Sequence, residues 1–243
     1  MTLTIIIAIV AFLVITLVLV GLLLFAKAKL TTSGDVTIDI NGGEKVLIAE
    51  SGGIASPIPI HVLIETHGAL RDAWEIAALN GVESLDFGLM DFVSGHHGAI
   101  PGSAMRSPGQ FEHPLVVSAK IQTVRAALAH AVLPSHNVCI ELRDQAIIES
   151  DARRAREEFG FLRMWSIHPD QIEPILRGMR PAAAEVEMAG EIILAAQDAD
   201  WAPTRHQDRL HDRASYRYFW NVLKRAHSTG ITLQDEVLNR LFA

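Results

Sequence analysis

The chain has one cysteine, Cys139, in 243 residues. That excludes an internal disulfide and any multi-cysteine metal or cluster site supplied by this chain alone. Its neighbours in "NVCIEL" are strand-like, so a buried structural thiol is expected there rather than a nucleophile. Basic charge is also scarce: 21 Lys and Arg stand against 28 Asp and Glu, net −7, with the arginines scattered. No nucleic-acid partner is expected from such a chain. Charge of either sign is missing from residues 3–26 in "MTLTIIIAIVAFLVITLVLVGLLLFAKAKL". No basic residue precedes this run and no small-residue cleavage pattern follows it, which argues against a signal peptide. As a helix it would span roughly 36 Å, enough for a hydrocarbon core of about 30 Å. Lys27 and Lys29 flank its C-terminal end and favour a cytoplasmic position for that side. The expectation is an uncleaved transmembrane anchor over residues 1–30. It would cross the inner (cytoplasmic) membrane once through residues 3–26, with the C-terminal domain in the cytoplasm.

Beyond the anchor, "DVTIDI" and "KVLIAE" alternate apolar and polar residues around "NGGE", and Asn41-Gly42 is a strong turn signal. Residues 31–53 therefore read as a β-hairpin fragment. From Ile54 the pattern changes to a strand–helix rhythm. "IHVLIET" precedes "HGALRDAWEIAAL". "SLDFGLMDF" precedes a Gly/Pro/His-rich loop and "LVVSAKIQTVRAALAHAV". "HNVCIEL" precedes "DQAIIESDARRAREEFG", and "FLRMWSIH" precedes "DQIEPILRGM". Strands alternating with helices of about ten to fifteen residues point to parallel βαβ units, about four of them over residues 54–180. Residues 181–243 read as helices only: "AAAEVEMAGEIILAAQDA", "RASYRYFWNVLKRAH" and "TLQDEVLNRLFA", the last with Thr232 and Asp235 as a candidate capping box.

Two strand-like runs end in acids, Glu65 and Asp91, 26 residues apart (91 − 65). That spacing is one strand, one helix and their connections. In parallel α/β folds ligands sit beyond the carboxyl ends of the strands, and neighbouring strands lie about 4.8 Å apart. Both carboxylates are thus placed to face one point, where they suit a hard divalent cation; helix capping or pairing with arginine is the structural alternative. Mg²⁺ commonly takes one or two protein carboxylates and leaves its remaining positions to water and substrate. In the following loop, "VSGHHGAIPGS", backbone N–H groups are candidates to hold a substrate carboxylate, with Gly95 and Gly98 permitting close approach. The adjacent His96-His97 diverge as loop neighbours do and are poor ligand candidates. His67 opens the next helix, and the "SYRYFW" aromatics serve packing.

"HVLIETHGAL", "LDFGLMDF", "RAREEFGFLRMWSIHPDQI" and "HDRASYRYFW" together resemble the CitE-like group of the HpcH/HpaI aldolase and citrate lyase β family, over residues from about 54 to the C-terminus. The resemblance implies a TIM-type barrel, here partial, and Mg²⁺ held by Glu65 and Asp91. The implied chemistry is carbon–carbon bond cleavage or formation on an acyl-CoA or oxo-acid substrate. It also implies a homo-oligomer through the C-terminal helices. His168 resembles the family signature "IHPxQ" and is expected to border the pocket, with a hydrogen bond to backbone as the plainer role. The family's eight strands and its early-strand arginine have no full counterpart here. The head, "LLLFAKAKLTTSGDVTIDINGGEKVLIAESGG", resembles instead the F subunit of the sodium-translocating NADH:quinone reductase. That family's cluster cysteines and flavin and NADH domains are missing, so neither an iron–sulfur cluster nor a flavin is expected. The sequence therefore reads as α/β: a transmembrane helix and hairpin, then a partial barrel of about four βα units with C-terminal helices. A magnesium-dependent carbon–carbon lyase is the functional expectation. The alternative is a non-catalytic fusion or a truncated form of the reductase's F subunit.

Overall fold

In the computed structural model of the chain, the described residues are 59–243, together with two short strands before them. These strands are β1 (Val36–Thr37) and β2 (Leu47–Ile48), paired antiparallel in the register Val36↔Ile48 and Thr37↔Leu47. The chain forms two compact units, Met1–Asn137 and Val138–Ala243.

In the first unit, β3 (Ile60–Ile64), β4 (Val82–Phe87) and β5 (Leu133–His136) lie side by side in parallel. The sequence alternates across this sheet as a strand must. Val62, Ile64 and Leu85 face the connecting helices. Ser84, Asp86 and Ser135 are buried polar residues of the same strands. Between β3 and β4 run α1 (His67–Arg71) and α2 (Ala73–Ala77); after β4 come α3 (Leu89–Ser94) and α4 (Pro114–Ala129). Ile64, Ala73, Ile76, Ala77, Leu85, Ala126, Ala127 and Val132 form the core between sheet and helices. The helix expected over "HGALRDAWEIAAL" is broken at Asp72, whose carboxylate accepts two 2.7 Å bonds from the Arg71 guanidinium. Asp72 (φ −94°, ψ 8°) closes α1 and opens α2 without capping the latter through its side chain.

The third strand also differs from the expected "HNVCIEL". Pairing runs through Leu133, Pro134 and Ser135 against β4, and the chain leaves the strand after His136. Residues 138–142 are instead shaped by a side chain far along the chain: the Gln171 amide donates to the carbonyls of Cys139 (2.8 Å) and Glu141 (2.7 Å).

The second unit holds α5 (Gln145–Phe159), the two-residue β6 (Arg163–Met164), α6 (Ile172–Met179) and α7 (Ala183–Asp198). An antiparallel hairpin follows, β7 (Thr204–His206) with β8 (Arg209–His211), then α8 (Arg213–Ser228) and α9 (Asp235–Leu241). Val186, Ala189, Ile192, Ile193 and Ala196 of α7 pack on Tyr216, Phe219, Val222, Leu223 and Ala226 of α8, closed by Leu233 and Val237. The capping box falls at Asp212 and Ser215 ahead of α8, whereas α9 starts after Gln234 with no side-chain cap.

Among the described residues no helix is long and apolar enough to cross a membrane. The longest run 16 residues, about 24 Å against a hydrocarbon core of about 30 Å, and all three carry charged side chains. This corrects the transmembrane helix in the expected fold class and the expected inner-membrane placement. Residues 3–26, on which both rested, lie outside the described residues.

Candidate functional site

The acidic pair is assembled by strand register. Ile64 pairs with Phe87, and the Gly88 amide donates to the Ile64 carbonyl at 2.9 Å. The residue after β3, Glu65, is thereby set beside Gly88. Asp91 is not at a strand end: β4 stops at Phe87, Gly88 is the N-cap of α3, and Asp91 lies in that helix's first turn. An acid there is favoured by the positive end of the helix. The turn carries it back over the rim, and the two carboxyl groups meet. A hydrogen bond between them and the charge of Asp91 both act on Glu65. The Glu65 carboxyl is raised above its ordinary 4.5, first by burial, then by the Asp91 charge and the shared hydrogen bond.

Gly88 makes this approach possible, and nothing in the spacing of the acids pointed to it. A Cβ at position 88 would stand 2.4 Å from Glu65 Cβ and 2.9 Å from Glu65 Oε2. The signal was present in "FGLMD", where a glycine separates the apolar strand from the acid.

The residues that follow the two acids in the chain include a cluster of rings. The His67 ring lies edge-on to His96 (centroids 4.4 Å) and to Phe92 (5.0 Å). His96 Nδ1 donates to the Phe92 carbonyl at 2.9 Å, so that nitrogen is already engaged. His67 opens α1 behind Thr66, whose hydroxyl accepts from the Ala69 amide. In the loop, the amides of Gly95, His96, His97 and Ala99 donate to Asp91, Val93, Ser94 and His96 carbonyls. Gly98 has a left-handed φ of +83°, and a side chain there would meet nothing within 4 Å. His168 belongs to the second unit. It caps its own 3₁₀ turn, Nδ1 accepting from the Asp170 amide at 3.2 Å. The buried Gln171 of the same "IHPDQ" stretch staples the 139–141 segment and accepts from the Ile167 amide at 3.0 Å. The structure thus brings Glu65 and Asp91 together, sets Gly95 and Gly98 in the loop after α3, and places His168 in a local turn.

Among the described residues no group of three or more His, Cys, Asp and Glu side chains is placed to hold a metal ion. Two hard carboxylates, drawn together until one resists ionisation, still form a donor set that a divalent cation would relieve. The residues present fit magnesium as ligands that leave most of its positions to water and substrate.

Solved structures similar to this chain include a citrate lyase and a CitE protein. A citrate lyase from Burkholderia xenovorans LB400 is 56% identical, with a TM-score of 0.68, over 78% of this chain and 59% of that one. CitE from Mycobacterium tuberculosis, in complex with magnesium, acetoacetate and coenzyme A, has a TM-score of 0.59 over 71% of this chain and 62% of its own. At 22% identity it bears on the fold alone. The chain therefore spans about three-fifths of the length of these lyases. Among curated proteins, the F subunit of the Na(+)-translocating NADH-quinone reductase of Haemophilus influenzae is 59% identical over 44 residues, 18% of this chain and 11% of that protein. That stretch carries no argument about activity. No family model matches the chain.

Proposed function

We propose that the chain contributes the magnesium-binding side of a carbon–carbon lyase site acting on an acyl-CoA or oxo-acid substrate. The observation that carries this reading is the meeting of Glu65 with Asp91 over Gly88. Identity of 56% with a citrate lyase supports it.

Glu65 and Asp91 are the ligands in this reading. A bound magnesium ion would supply electrophilic stabilisation of the negative charge that develops on the substrate as its carbon–carbon bond breaks. The protein's own contribution is placement. The backbone at Glu65 is set by the β3–β4 register and that at Asp91 by the first turn of α3. His67, Phe92 and His96, close in sequence to the two acids, pack against one another. Gly98 offers substrate an approach to main chain unobstructed by a side chain, while the Gly95 amide is already engaged.

The test is cleavage of a panel of acyl-CoA esters and oxo-acids by the purified chain, with and without Mg²⁺. Turnover that needs Mg²⁺ and is lost in both Glu65→Ala and Asp91→Ala is the expected result. Turnover that survives either substitution would overturn the assignment of ligands, and none on any substrate would overturn the lyase reading for this chain.

A further inference from the structure

We propose that the second unit carries a separate binding site for a planar aromatic anion, in a cavity of about 1220 Å³ between α7, α8 and α9. The cavity lies wholly within that unit and shares no residue with the acidic pair. Its size lies somewhat above the roughly 300–1,000 Å³ typical of pockets for drug-sized ligands.

Its walls are aromatic and held in place. Trp201 is 53% exposed, although tryptophan is among the most costly side chains to leave in water. Asp200 (φ +50°) and Trp201 (φ +62°) are consecutive non-glycine residues in the left-handed region. Such a pair persists only where its surroundings impose it, and clusters at functional positions. The Trp201 amide is pinned to the Ala196 carbonyl at 2.7 Å. Tyr216, edge-on to Trp201 with centroids 6.3 Å apart, is fixed by its hydroxyl to Thr204 Oγ1 and to the carbonyls of Ala202 and His211. Trp220 is backed by Phe242 at 5.1 Å. Trp201, Tyr216 and Trp220 bring three rings to one cavity, a lining that favours stacking of a flat partner.

The charge at the cavity is cationic where it is available. Arg213 and Arg217 stand one helical turn apart on α8, both exposed and both lining the cavity. Neither forms an ion pair among the described residues. Arg240, by contrast, is occupied by Asp198 (2.6 Å) and Glu236 (3.1 Å). The cavity's carboxylate, Asp212, accepts through Oδ1 from the Ala214 and Ser215 amides, so the two arginines outnumber it. Paired guanidinium groups beside aromatic faces match a ring bearing a carboxylate or a phosphate. An aryl carboxylate and a nucleoside monophosphate share that chemistry.

The experiment is isothermal titration of the full-length protein with indole-3-carboxylate and with adenosine 5′-monophosphate, neutral indole and inorganic phosphate serving as the separated halves. Tryptophan fluorescence gives a second readout. At least one aromatic anion is expected to bind more tightly than about 1 mM. Its affinity is expected to fall at least about tenfold in Trp201→Ala and in the Arg213→Gln/Arg217→Gln double variant. These positions are exposed, so an unchanged melting temperature verifies folding. Indole binding should be indifferent to the arginine changes, and Glu65→Gln should leave all four titrations unaltered. Three results would overturn the proposal: no binding of either aromatic anion at millimolar concentration; affinities unchanged in both variants; or a dimer that Trp201→Ala dissolves, which would mean that a second copy fills the cavity.

Discussion

Replacing Gly88 with alanine perturbs the acidic pair from the backbone side. The added methyl carbon would lie 2.4 Å from Glu65 Cβ, 2.9 Å from Glu65 Oε2 and 3.3 Å from Glu65 Cα. Non-bonded carbons rest at about 3.5–4.0 Å, so the ends of β3 and β4 must part by about 1 Å. The backbone at 88 has φ −98°, open to alanine, so the whole cost is overpacking, about 1–3 kcal/mol. For a chain of this size that lowers the melting temperature by about 2–12 °C. Glu65 also moves off Asp91, so divalent-cation affinity should fall about tenfold or more, as when a ligand loses its support. Thermal unfolding in chelator and a calorimetric Mg²⁺ titration measure the two effects. In a Glu65→Gly background the clash loses its main partner, and the same substitution should cost less. A melting temperature within about 1 °C of wild type together with unchanged affinity would refute the reasoning.

Three further outcomes are expected. Because the Glu65 carboxyl is raised above 4.5 in the folded chain, its stabilising effect is present below that pH and is lost as pH rises through the folded value. In chelator, Glu65→Gln should match wild type at acidic pH and exceed it above, by at most about 1 kcal/mol at this partly exposed site. Urea unfolding across the range checks this, and parallel pH profiles would contradict it. The Cys139 thiol, buried and pushed up to about 12 chiefly by that burial, should react with a thiol reagent at pH 8 at least about 100-fold more slowly in the native chain than in urea. Gly178→Ala would drive a Cβ to 2.4 Å from the Glu149 carbonyl and 2.7 Å from Ala152 Cβ. About 1–3 kcal/mol of stability should be lost as α5 and α6 separate, read as a lower melting temperature.

What the sequence made legible was periodicity and chemistry. The strand–helix alternation gave β3 and the four long helices α4, α5, α7 and α8 close to their observed bounds, because each has a core-facing apolar pattern of its own, whereas the strand expected over "SLDFGLMDF" ends at Phe87. The convergence of Glu65 and Asp91 followed from parallel neighbours, though Asp91 reaches the rim on a helix. "FGLMDF" is apolar enough for either state, and only the Gly88 cap decides. Where partners distant in the chain set the backbone, local pattern failed. "HNVCIEL" looks like a strand, but Gln171 holds two of its carbonyls. "FLRMWSIH" looks like another, yet Ser166 Oγ donates to the His168 carbonyl at 2.6 Å and turns the chain after Met164. The β7–β8 hairpin turns on Gln207 and Asp208, both at positive φ without glycine, so it lacked the usual turn signal. Gly88 and Gln171 escaped because each acts through a contact that only the fold creates.

The central claim is that Glu65 and Asp91 jointly hold one divalent ion. Calorimetric titration of the full-length protein with Mg²⁺, repeated with Mn²⁺ under electron paramagnetic resonance, tests it most directly. One ion per chain is expected, its binding lost in both Glu65→Gln and Asp91→Asn while both variants remain folded. Binding that persists in either variant would contradict the account.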